Sequence, residues 1–273
     1  MTDTATTILP GYSLAQRVTR RRVTRAEVTK LWSLPSAAWS LLTAAVVITG
    51  IGVLYSSLRA ARPPHGHAAI AAFDPTLVSL AGVEIAMLVT GVLGALFITG
   101  EYATGQVRST FTAVPARLPV LWGKAAALAL TTFAACAVAA LAAFAIGQSV
   151  LSGAHLGASL DDPGALRAVL GSALFLAVAA LFGLGLGALL RSTAGATGAL
   201  FGALFALQVL AALLPGSWPE QVSKYLPGPA GLDITATAPD PAALSPWAGL
   251  GLFCLYTAAV LGLAAWRVRR QEV

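Results

Sequence analysis

A chain of 273 residues that is 57% hydrophobic and only 10% charged is not composed like a water-soluble domain, in which about a quarter of residues are charged. The 17 Lys and Arg exceed the 11 Asp and Glu, but they are spread as loop anchors, which argues against a nucleic-acid-binding face. Cys136 and Cys254 lie inside apolar runs, and their placement fits neither a disulfide framework nor a metal site.

Residues 1–35 form a basic arm with Arg17, Arg20, Arg21, Arg22, Arg25 and Lys30. Leu14, Val18, Val28, Leu31 and Trp32 recur among these charges at roughly helical spacing, which favours an amphipathic helix lying along a membrane surface over a disordered basic arm that only fixes topology. Pro35 ends it and redirects the chain. The first apolar run follows an arm too long for a cleaved signal, so it reads as a retained span.

A bilayer core asks for roughly 20 consecutive apolar residues per helix. Such runs occur at about Ala37–Leu58, Leu77–Thr99, Leu121–Ile146, Ala168–Leu190, Ala194–Leu214 and Trp247–Trp266. They predict an all-α membrane protein with six transmembrane helices in a domain over residues 36–268, followed by a short tail, 269–273. Asp74-Pro75, Asp162-Pro163 and Ser245-Pro246 each offer an N-cap followed by proline at the first helical position. The segment 215–246 is rich in proline, with a short helix expected near Pro219–Leu226. It reads either as a cap over the mouth of a pathway or as a segment resting on the interface, with Trp218 and Tyr225 at headgroup level.

The charge pattern orients the spans. Thirteen of the 17 Lys and Arg fall in the arm, the second and fourth connections and the tail; only Arg59, Arg62, Arg167 and Lys224 fall on the other side. By the positive-inside rule both termini are cytoplasmic.

No G-x-x-x-x-G-K-[ST], H-E-x-x-H or nucleophile-elbow pattern occurs, so the sequence offers neither a P-loop nor a catalytic constellation, and no enzyme activity is expected. Glu84 stands inside an apolar run, about two turns from its outer end, where an ionisable group is costly; it reads either as a substrate-pathway or proton-linked candidate or as a structural carboxylate that snorkels to interfacial water or is hydrogen-bonded. Gln148 and Gln208 are weaker candidates. Gly183 with Gly187, and Gly198 with Gly202, are spaced for close helix packing. The most polar connection is GEYATGQVRSTFTAVPARLPVLWGK, Gly100–Lys124. It mixes Glu101, Arg108 and Arg117 with several hydroxyls, whereas simple anchoring asks only for positive charge; Lys124 anchors the start of the third span. Glu101 is placed to meet water or an arginine.

That segment resembles the first cytoplasmic loop of permease subunits of ATP-binding cassette (ABC) exporters of the type-two membrane family. AEVTKLWSLPSAAWSLL (Ala26–Leu42), FDPTLVSLAG (Phe73–Gly82), GLGALLRSTAGA (Gly185–Ala196), KYLPGPAG (Lys224–Gly231) and LSPWAGL (Leu244–Leu250) are similar to the family's pattern in the same order. At Glu84 the family more familiarly has a neutral amide, and Gly231-Leu232-Asp233 replaces a more amide-rich stretch. The resemblance implies a multi-pass plasma-membrane permease that exports a small molecule, drug or lipid-like substrate. It implies a partner ABC ATPase that holds ATP and Mg, a second permease subunit in a homo- or heterodimer, and no cofactor in this chain. Coupling to the ATPase would fall to Glu101, Arg108 and Arg117, to Glu27 and Lys30 of the arm, and more weakly to Arg191. Two other readings stay open: a secondary transporter or channel that works without an ATPase, driven through Glu84, and a polytopic membrane assembly protein.

Overall fold

The computed structural model describes residues 35–66, 73–103, 117–216, 218–238 and 243–270. The expected surface helix of the arm, with Glu27 and Lys30, lies outside them, as do Arg108 and the tail from 271. Among the described residues the chain is helical, with no strand. The elements are α1 (Pro35–Ala61), α2 (Pro75–Ser79), α3 (Gly82–Ala103), α4 (Arg117–Ser152), α5 (Ala165–Leu190), α6 (Thr193–Phe201), a π turn (Gly202–Ala206) and α7 (Leu207–Ala212). After these come α8 (Trp218–Ser223), α9 (Pro227–Leu232), a 3-10 turn (Asp233–Thr235) and α10 (Pro246–Arg270). Six helical stretches are long and apolar enough to cross a membrane: α1, α3, α4, α5, the continuous run α6–π–α7, and α10.

Helix α5 is the axis of the bundle. Ala, Gly, Leu and Phe fill it, and it is buried along almost its whole length. Helices α3, α4 and α10 pack around it, and α1 closes against α3 and α4. Phe253 of α10 lies between Phe175 and Phe182 of α5, ring centroids 5.4 and 5.8 Å away in tilted geometry. The α3–α5 seam is closer still. A Cβ on Gly183 would overlap the carbonyl of Gly91, and one on Gly94 that of Ala180. Gly187 meets Ala95 and Ile98 in the same way. In lipid, where apolar surfaces gain little by leaving the solvent, this backbone approach supplies dispersion contact that larger residues would block. The second glycine pair behaves differently: a Cβ on Gly198 or Gly202 would meet nothing.

Two expectations about helix starts change. The second span does not begin at Leu77. Asp74 caps the short α2, its Oδ1 accepting from Leu77 N at 2.9 Å, and the chain turns at Leu80–Ala81 before α3 starts at Gly82. Glu84 therefore sits in the first turn of α3, not two turns inside a span, and the positive end of the helix dipole favours a carboxylate there. Asp162-Pro163 does not open α5 either. Its Oδ2 accepts from Ser159 N at 2.8 Å, closing a turn, and the cap position of α5 falls to Gly164 at φ 89°. Pro246 does open α10, which continues past residue 268 to Arg270.

The segment after α7 divides in two. In the α8 part, Trp218 and Tyr225 are exposed. The α9 part turns back against the bundle, burying Pro227, Gly228, Ala230 and Gly231. Gly249 of α10 lies against the Ala230 carbonyl, Gly231 against Phe175, and Gly228 against the Leu204 carbonyl of the π turn. This half of the segment is packed structure and does not rest on an interface. The short helix expected near Pro219–Leu226 is α8, and α9 follows it as a second one.

Candidate functional site

The fold collects polar groups at two opposite ends. At one end, the last turn of α3 meets the first turns of α4. Glu101 is in the last turn of α3, and Lys124 is two turns into α4. Lys124 Nζ lies 3.1 Å from Glu101 Oε1, with the two side chains 2% and 12% exposed. The ammonium also stands 3.9 Å from the centroid of the Phe97 ring, so its positive charge meets a carboxylate and an aromatic face in apolar surroundings. Leu93, Leu121, Leu128 and Leu184 belong to the cluster around Phe97.

The outcome differs from the expectation on two counts. Glu101 meets a lysine where water or an arginine was expected. Lys124, read as an anchor at the span's start, is among the most completely buried large side chains. Sequence reasoning did not place Lys124 among the functional residues. The signal was present, because the rule that singles out Glu84, an ionisable group inside an apolar run, applies equally to LWGKAAALAL.

Arg191 ends α5 in a left-handed conformation (φ 53°), and its guanidinium stands 5.2 Å from the Tyr102 ring centroid. The Thr193 hydroxyl donates to Thr99 Oγ1 at 2.8 Å, tying the start of α6 to α3. Arg267 of α10 donates to the Leu189 carbonyl at 2.6 Å. Glu101, Lys124, Arg191 and Arg267 thus share one end of the bundle. Arg117 opens α4; its side chain, like Arg108, Glu27 and Lys30, lies outside the described residues.

At the other end, Asp74 is a latch. Besides capping α2, its Oδ2 accepts from Thr237 N at 2.6 Å and Ala238 N at 3.2 Å, fastening the chain after α9 to the entry of α3. Gln148 near the end of α4 is a second latch. Its Nε2 donates to the Pro75 carbonyl and to Ser79 Oγ, each at 3.0 Å, and its Oε1 accepts from Ala158 N at 2.7 Å. Its role is structural. Arg167 Nη2 donates to the Ala236 carbonyl at 2.8 Å.

Beside Asp74 a cavity of about 1070 Å³ opens at this end of the bundle, among α2, the start of α3, α7, α9 and the start of α10. Glu84, Asp74, Asp233 and Gln208 supply polar side chains, while Leu77, Met87, Leu232 and Leu244 supply apolar wall. Glu84 and Gln208, both candidates from the sequence, are brought to one cavity; Gln148 is not.

A bundle with six helices long and apolar enough to cross a membrane, helical throughout the described residues, is that of a multi-pass membrane protein. Neither family models nor curated proteins give a match to this chain.

Proposed function

We propose that the chain is the membrane-spanning permease subunit of an ABC transporter, exporting a small-molecule, drug or lipid-like substrate across the cell membrane. A separate ATPase subunit binds ATP and Mg and supplies the energy. The working assembly pairs this chain with a second permease subunit, identical or related. In this reading both termini and the end carrying Glu101 are cytoplasmic, the N-terminal arm lies along the membrane surface, and the chain performs no bond chemistry of its own.

The observation that supports this most directly is the Lys124–Glu101 pair. It joins the two helices that flank residues 104–116 at the point where they enter the bundle. A load applied to that loop by a partner reaches α3 and α4 together, through a contact held in apolar surroundings where ionic attraction is little screened. ATP binds one conformation of the ATPase pair better than the other and so shifts the equilibrium of the whole assembly. Glu101, Arg108 and Arg117 act as coupling residues, with Glu27, Lys30 and Arg191 assisting.

The test is affinity purification from native membranes followed by transport assays with the recovered ATPase. A P-loop ATPase co-purifies, and Glu101→Ala and Arg108→Ala each insert normally but lose most ATP-driven transport while hydrolysis continues. Full export in both variants would overturn the coupling assignment.

One observation favours a second reading, ATPase-independent transport: Glu84 faces an open cavity. Transport sustained without any ATPase and abolished by Glu84→Gln would select it.

A further inference from the structure

We infer that the outer cavity binds amphipathic organic cations, molecules with an apolar body and a single delocalised or amine positive charge. This names a substrate class and rests on the transport reading above.

Charge is the first consideration. Three carboxylates line the cavity, Asp74, Glu84 and Asp233, and among the described residues no basic side chain does. They are not equivalent. Asp74 is 8% exposed and accepts three backbone N–H bonds, and Asp233 has a partner of its own. Arg167 stands behind the wall, held to the Ala236 carbonyl. Glu84 remains: it is exposed to the cavity and makes no hydrogen bond or ion pair among the described residues. A carboxylate bordered by apolar wall at the level of the membrane attracts a cation more strongly than it would in water. The same field repels an anion of equal size.

The second, independent observation is the π turn Gly202–Ala206. A wide turn inserts an extra residue and rotates everything after it by about 100° relative to a continuous α-helix, and such turns recur at functional sites. The first residues past it are Leu207 and Gln208. Gln208 lines the cavity, and its amide too is without a hydrogen-bond partner among the described residues. The Gly228 Cα lies against the carbonyl of Leu204 within the turn, so α9 and the π turn seat one another. The span therefore departs from regular geometry at the place where doing so turns its one amide into the cavity.

Size and walls complete the fit. Sites for drug-sized ligands run from about 300 to 1,000 Å³, mostly apolar with a few placed polar groups. This cavity is slightly larger than that range, with Leu77, Met87, Leu232 and Leu244 for the apolar body, Glu84 for the charge and Gln208 for a hydrogen bond.

The test uses tetraphenylphosphonium and tetraphenylborate, nearly equal in size and opposite in charge, in equilibrium binding to the purified chain in phosphatidylcholine nanodiscs. Empty nanodiscs correct for partitioning into lipid. Tetraphenylphosphonium binds saturably, tetraphenylborate does not compete, and Glu84→Gln weakens the cation by about tenfold. Gln208→Glu, which adds a carboxylate, tightens it, giving a gain of binding that a misfolded variant would not show. Binding no greater than that of empty discs, equal retention of both ions, or indifference to both substitutions overturns the proposal. No ATPase is present in this measurement, so its failure leaves the coupling test to be decided separately.

Discussion

Lys124 and Glu101 illustrate how a charge is tolerated inside an apolar bundle. Removing an ion from water costs several kcal/mol, recovered only when the partner geometry is good; here a carboxylate at 3.1 Å and an aromatic face at 3.9 Å provide it. Truncating one member leaves the other buried and uncompensated, at a cost of about 3–5 kcal/mol, whereas replacing both by apolar residues of similar volume is often neutral. Lys124→Met and Glu101→Leu are therefore each expected to lower the thermal unfolding temperature in detergent markedly. The double variant should regain most of the loss, though not all, because each residue has a further contact. Its transport with the ATPase should stay uncoupled, which separates the pair's structural role from its coupling role. A double variant as unstable as the sum of the singles would show that the two residues do not act as a pair. From the sequence Lys124 looked like one more positive-inside anchor, because a lysine at a helix entry is compatible with both snorkelling and burial. Which one occurs depends on whether Phe97 and Glu101 of the neighbouring helix arrive at the same height, and that is a property of packing.

Among the elements, the helix pair α3 and α5 separates two sequence patterns that look alike. Gly183/Gly187 and Gly198/Gly202 have the same spacing, yet only the first pair meets a backbone. Filling a close seam forces the helices apart, and overpacking of this kind costs about 1–3 kcal/mol or more. Gly183→Leu is expected to lower the yield of folded, monodisperse protein and its unfolding temperature, measured by size-exclusion chromatography and a thermal melt. Gly198→Leu, facing open space, should leave both unchanged; equal damage from the two would place a helix contact at Gly198 that the isolated chain does not make. The six spans themselves were legible, because an uninterrupted apolar run has few alternatives in lipid. Their starts were legible only where the cap was unambiguous. Pro246 opens its span as expected; Asp74-Pro75 caps only the short α2 and not the second span, and Asp162-Pro163 closes a turn, since Asp-Pro serves either purpose and Gly164 was free to take the left-handed cap. The break at Leu80–Ala81 is marked in the sequence only by Gly82, one glycine among many in apolar runs, since Leu80 and Ala81 are good helix formers. It decides the depth of Glu84.

At the scale of the molecule, the two ends differ in chemistry as the charge count predicts. Among the described residues, Lys124, Arg191 and Arg267 stand at the end with Glu101, where Arg267 takes up the Leu189 carbonyl at the close of α5. At the opposite end Asp74 and Gln148 take up backbone groups left over where segments turn back. Candidate sites legible in sequence were those whose chemistry is unusual for their surroundings, such as Glu84. Gln208 was legible as a residue but not as a cavity group, because the π turn that aims it leaves no mark in a run of Gly, Ala, Leu and Phe. The sidedness assigned to these ends follows from the positive-inside rule, and impermeant labelling measures it directly. In a Cys136→Ala, Cys254→Ser background, Leu160→Cys lies in the exposed turn before α5 and Arg269→Cys on the exposed last turn of α10. A membrane-impermeant maleimide applied to intact cells should label the first and spare the second, and permeabilisation should expose the second. The reverse pattern would put Glu101 and Lys124 outside the cell, beyond the reach of any cytoplasmic ATPase. The permease reading would then fall, while cation binding at the opposite cavity would stand as a property of the inner face.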